Sequence, residues 1–186
     1  MTDDVTIANV ALGGLLGSSR ITALNDGSQN ANAVSAVYTH VRDFVLRAHP
    51  WQFTKVLATL TVDGTAPDHE YDTRFALPAD SIRILDVDTE YPWTVANGYI
   101  LANEADDLLV TYQKLETDED VFDPLFVHCF TLYLAYTVCE EVTQSRSKRK
   151  DLIDEFNRQI LVAKMVDAQE SSPRLLKEDA WITVRY

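Results

Sequence analysis

Between Gln29 and Phe53 the chain writes one helical face and then breaks it. Ala33, Val34, Val37, Tyr38, Val41, Phe44, Val45 and Ala48 recur three or four residues apart, the repeat of an amphipathic helix. Asp26, Gly27 and Ser28 stand before it with N-cap chemistry. Pro50 disfavours the helical region for His49, so the helix is expected to stop near Ala48. Trp51 and Phe53 follow at once, and the pattern turns to alternation. A change of period at a proline marks a crossover between two parts of a fold, with Trp51 and Phe53 as anchors at the joint.

The same reading extends in both directions. Val5, Ala8, Val10, Leu12, Leu15 and Leu16 predict a first helix over 3–16, capped by Asp3 or Thr2 and ended by Gly17. Residues 18–28 form a connection that Ile21 and Leu24 pin to the core. Lys55–Val62 reads as a strand. Phe75–Pro78, Ile82–Asp88, Trp93–Val95, Tyr99–Leu101 and Leu108–Tyr112 add short strands, with Asn97-Gly98 as a tight hairpin turn. Asp123 and Pro124 then open a helix that is apolar nearly all round to Val142, as expected of a central buried helix. Ser145 to Lys150 reads as a turn. A last helix runs from about Lys150 to Glu170, with Leu152, Ile153, Phe156, Ile160, Leu161, Ala163 and Val166 as its apolar stripe. After Ser171-Ser172-Pro173 the segment Trp181–Tyr186 alternates like a strand.

Helices at both ends and strands between them predict an α+β fold. It would comprise a four-helix bundle from both chain ends, an inserted small antiparallel β sheet or barrel, and an extended C-terminal tail. The expected divisions are 1–53 plus 121–170 for the bundle, 54–120 for the β insertion and 171–186 for the tail.

Charge sharpens this division. The chain of 186 residues carries a formal net charge of −13. From Asp63 to Asp123 sixteen acidic residues face only Arg74, Arg83 and Lys114, while the remainder is balanced. The excess therefore sits in the β segment, where it opposes tight phosphate binding. The acidic N-terminus argues against a signal peptide, and no run of 18 apolar residues suggests a membrane span. Cys129 and Cys139, ten apart in one helix, would lie roughly 15 Å apart, too far for a disulfide.

Spacing gives no catalytic assignment. The four histidines and two cysteines match no zinc-ligand pattern, GGLLGSS lacks the Lys-Ser/Thr of a phosphate loop, and GxSxG is absent. No catalytic, cofactor-binding or metal-binding residue is expected, and no cofactor. Carboxylate pairs such as Asp106-Asp107 and Glu140-Glu141 leave one enzymatic alternative, a glycosidase such as a cell-wall (peptidoglycan) hydrolase.

Residues Tyr38–Phe53, YTHVRDFVLRAHPWQF, resemble the Y-x₃-RD-x₂-L-x₂-HPW-x-F stretch of the tail tubular protein A family, the head-to-tail adaptors or gatekeepers of short-tailed bacteriophages. The likeness continues in order through ALGGLLGSSRITALNDGS and Phe75–Asp80, then Arg83–Val87, Asn97–Leu101, Phe122-Asp123-Pro124 and Ala180-Trp181. It implies a structural virion protein and not an enzyme. Such a protein forms a ring of twelve copies under the portal protein, extends the DNA channel, and offers a docking surface to the tail nozzle protein and tail fibres. Double-stranded DNA would pass through without specific binding. A different head or tail completion factor is the third reading.

Three stretches are the candidate interface. The outer side of the 29–48 helix contributes Arg42 and Arg47, with Arg42-Asp43 as a candidate inter-subunit ion pair. The 145–150 turn contributes Arg146, Lys148, Arg149 and Lys150. The tail contributes Trp181, Ile182, Val184 and Tyr186.

Overall fold

The computed structural model describes residues 3–63 and 70–170. It is an α+β fold with helices at both ends of the chain and two small antiparallel sheets between them.

Helix α1 (Asp4–Asn9) starts where Asp3 accepts the Thr6 amide at 2.7 Å, and it runs on as a π-helical stretch, Val10–Leu16. Gly13 and Gly14, poor helix formers, lie inside the widened turns. Gly17 closes it with φ 69°, a left-handed conformation that glycine adopts without a Cβ clash. Asn9 clamps the following connection by pairing with both the amide and carbonyl of Ile21 (2.8 and 2.9 Å), and Ile21 is buried as expected. Val10, counted on the apolar face, is instead exposed.

The helix expected over 29–48 is two helices. Helix α2 (Gln29–Ser35) is capped by Ser28, and α3 (Tyr38–Arg47) follows after a break at Ala36-Val37. There the Ser35 hydroxyl donates to the Asn32 carbonyl at 3.2 Å and the Val37 amide tightens to Val34. A serine bonding back to its own helix bends it, so a continuous apolar repeat spans a discontinuous backbone. The stop falls where Pro50 placed it, with Ala48 as the cap residue of α3.

Helix α4 (Pro124–Thr143) begins on Asp123, which accepts the Leu125 and Phe126 amides. It packs against α1 and its π extension, α2, α3 and α5 (Arg146–Gln169), so it is the central element expected. By length and composition alone α4 would also pass for a membrane span; here its apolar residues are the core. Phe126 meets Trp51, Phe53 and Phe122 edge-on at 4.9–5.4 Å, and Phe130 meets Tyr38 at 5.1 Å.

Helix α5 starts four residues earlier than expected. Ser145 caps it by accepting the Lys148 amide, so Arg146–Lys150 is its first turn and not a loop. Leu152, Phe156, Ile160 and Ala163 are buried, but Leu161 and Val166 are not.

The strands are β1 (Lys55–Leu60), β2 (Thr73–Ala76), β3 (Ser81–Val87), β4 (Trp93–Ala96), β5 (Tyr99–Ala102) and β6 (Leu108–Lys114). They form two three-stranded sheets, ordered β1-β6-β3 and β2-β5-β4, not one sheet. Both contribute to a second buried cluster: Phe75, Ile100 and Ala102 from one, Val87, Leu108, Val110 and Tyr112 from the other. Asn97 and Gly98 turn β4 into β5 with positive φ at both (51° and 82°), the geometry this dipeptide favours. The helical and β clusters meet at Gln113, fully buried, which donates to the carbonyls of Leu46 (2.7 Å) and His49 (2.9 Å).

Candidate interface

Arg42 does not lie on the outer side of its helix. It is 9% exposed, and its Nε and Nη2 reach Asp43 of the same chain at 2.9 and 2.8 Å. The buried face of α3 holds Tyr38, Val41, Arg42 and Val45, so the stem of Arg42 packs while its head finds the neighbouring carboxylate. The Arg42-Asp43 pair is thus satisfied within one chain. Arg47 is exposed and donates from Nη1 to the Ile82 carbonyl at 2.7 Å, tying α3 to β3.

The four basic residues at 146–150 are brought together, though mostly for internal work. Lys148 donates to the Leu16 carbonyl at 2.9 Å and so closes the end of the first helix. Arg149 pairs with Glu140 at 2.8 Å and stacks over the Tyr136 ring at 4.8 Å. Arg146 approaches the same carboxylate at 3.7 Å while 91% exposed. Cations in a first helical turn oppose the helix dipole, and Glu140 offsets two of them. Lys150 is exposed with no partner among the described residues. Only Arg146 and Lys150 direct charge outward from this cluster. Trp181, Ile182, Val184 and Tyr186 lie outside the described residues.

One surface is missing from that set. Leu161, Val162, Met165 and Val166 are 62, 50, 65 and 40% exposed, two adjacent pairs one helical turn apart on α5. They make a second apolar stripe beside the buried one. The sequence signal is the doubling itself: Leu161-Val162 and Met165-Val166 supply more apolar positions than one core-facing stripe requires. A contiguous exposed apolar patch is a mark of association.

A buried polar group forms the joint below α3. Asp167 of α5, 8% exposed, accepts from His49 Nε2 at 2.7 Å and from the Gln52 amide at 2.9 Å. Burial pulls the imidazole below its ordinary value, against the pull of Asp167, and Lys164 and Lys55 add to the lowering. Trp51 beside it is fully buried and donates from its indole to the Val45 carbonyl at 3.1 Å. Both cysteines are buried, and burial pushes the Cys129 thiol up to about 11, away from reactivity. Among the described residues no group of three His, Cys, Asp or Glu side chains converges to hold a metal. Asp106, Asp107 and Glu141 are exposed, and Glu140 is engaged by arginines.

No protein-family profile and no curated protein matches the chain.

Proposed function

We propose that the protein is a head-to-tail adaptor of a short-tailed bacteriophage, a structural virion component and not an enzyme. In this reading it assembles as a ring of twelve copies under the portal protein, continues the DNA channel and receives the tail nozzle protein and tail fibres. The helices act as a four-helix bundle formed by 1–53 and 121–170. The segment 54–120 is an inserted β domain.

The observation that carries the reading is where the resembling stretch lies. Of that stretch, Leu46, His49, Trp51 and Phe53 hold the joint between helices and strands, Tyr38 packs on Phe130 of α4, and Arg42 and Asp43 pair with each other on α3. A motif of that kind preserves a shape, as an assembly protein requires, and supplies no convergent chemistry. The exposed apolar stripe of α5 suits self-association. The exposed acidic residues of the β part, among them Asp72, Asp88, Glu90, Asp106 and Asp107, suit a wall past which phosphates slide.

Electron microscopy of the purified full chain, alone and mixed with portal protein, tests this. Twelve-fold rings on the portal are expected. Persistent monomers that never bind the portal would overturn it.

A further inference from the structure

A cleft of about 490 Å³ lies where β3, β4 and the end of α3 meet. It is lined by Ile82, Arg83 and Ile84 of β3, by Trp93 and Val95 of β4, and by Arg47 of α3. Strand β3 slips its register against β6 on both sides of Arg83-Ile84. Bulges of this kind bend a strand and re-aim its side chains, and here three consecutive residues border one cleft. The walls are largely apolar, and the volume is within the range of small-molecule sites.

The two cations at the cleft are held in place but not neutralised. Arg42, Arg74, Arg146, Arg149 and Arg158 each lie within ion-pair distance of a carboxylate. Arg47 and Arg83 have none at that distance among the described residues, although the chain has a net charge of −13. Both are fixed through neutral oxygens instead. Arg47 Nη1 donates to the Ile82 carbonyl at 2.7 Å, and Arg83 Nε donates to the Gln113 amide oxygen at 2.8 Å. Gln113 is fully buried and bonded to the Leu46 and His49 carbonyls, so the head of Arg83 is set before any ligand arrives. Arg83 Nη2 is buried without a partner. Burial, and then the charge of Arg47, lower the Arg83 pKa. Two like charges at one site carry a cost that an anion beside them removes. A bare inorganic ion would answer the charge but leave Trp93 and Val95, 38 and 46% exposed, in water.

We propose that this cleft binds a small organic anion. A phosphate or carboxylate group is taken by Arg47 and Arg83, and the flat apolar body that carries it lies against Trp93 and Val95. Guanidiniums match the oxygens of both anions in fork geometry, and an indole ring offers its face to a flat group. The site does not depend on assembly into a ring.

Calorimetric titration of the full chain with phenyl phosphate, benzoate, inorganic phosphate and benzyl alcohol tests this. Saturable one-to-one binding of phenyl phosphate or benzoate is expected, and the tighter of the two names the anionic group. Inorganic phosphate lacks the ring and benzyl alcohol lacks the charge, so each should bind at least about tenfold more weakly. Arg47→Gln and Trp93→Ala should each weaken the aryl anion at least about fivefold. Thermal melts check that both variants fold, and Trp93→Ala keeps the test decisive should Arg47→Gln unfold. No saturable binding of either aryl anion would overturn the proposal. So would affinity unchanged in both variants, or inorganic phosphate binding as tightly as its phenyl ester. Affinity that falls as protein concentration rises would also overturn it, by placing an acidic side chain of a second copy in the cleft.

Discussion

Asp167 holds His49 and the amide of Gln52 at once, 2.7 Å to the imidazole and 2.9 Å to the backbone, across 118 and 115 residues of chain. One carboxylate thereby fixes the end of α5 to the turn where the N-terminal helices hand the chain to the sheets. Because it is 8% exposed, little water can replace it. Asp167→Ala leaves a buried imidazole and a backbone donor without their acceptor, and should cost about 2–3 kcal/mol. Urea denaturation gives the number; a loss below about 0.5 kcal/mol would mean the pair is incidental.

The same pair sets a pH response. The folded-state pKa of His49 lies below its ordinary value, chiefly through burial. Its contribution to stability is therefore present above about pH 6.5 and is lost as pH falls through the folded value. Urea midpoints should drop between about pH 7 and about pH 5, and more steeply in the parent than in His49→Gln. Equal slopes would remove His49 from the account.

Gln113 is the polar bolt between the two clusters: its amide nitrogen donates to the carbonyls of Leu46 and His49, and its amide oxygen accepts from Arg83 Nε. Gln113→Leu keeps the volume but removes the donor to the buried Leu46 carbonyl and the acceptor of Arg83 Nε, while the His49 carbonyl keeps the Trp51 amide. A destabilisation of about 2–3 kcal/mol is expected. Calorimetry provides a second readout, since a weakened bolt should also broaden or split the unfolding transition. A single sharp transition at the parent temperature would contradict this.

The apolar stripe of α5 separates folding from association. Leu161→Glu and Met165→Glu lie where side chains are already in water, so monomer stability should stay within about 0.5 kcal/mol. Sedimentation should show self-association of the double variant reduced at least tenfold. Unchanged assembly would clear this face of any role.

Much of this fold is legible from residue order, because the signals are local. Asp3, Ser28 and Asp123 cap helices, Gly17 and Pro50 stop them, and Asn97-Gly98 turns a hairpin. What is not legible depends on partners distant in sequence. The break at Ala36-Val37 interrupts no apolar position, so periodicity passes straight through it. The split into two sheets depends on which strands pair, and alternation is blind to that. Basic residues at 146–150 read as loop because they suit a helix start poorly, yet Ser145 caps them and Glu140, on the preceding helix α4, pairs with Arg146 and Arg149. Arg42 looks like surface by type, but its helix is covered on that side. The α5 stripe was visible only as an excess of apolar residues, and the carboxylate that grips His49 sits on the same helix without any spacing to announce it.

The helical core draws on segments from both sides of the β part, while among the described residues every strand lies within Lys55–Lys114. A ribosome therefore finishes the sheets before it begins α4. At roughly 5–20 residues per second, α1, α2 and α3 wait on the order of ten seconds with their apolar faces uncovered. During synthesis the part that folds first is the middle of the chain, and the N-terminal helices are the ones that need shelter.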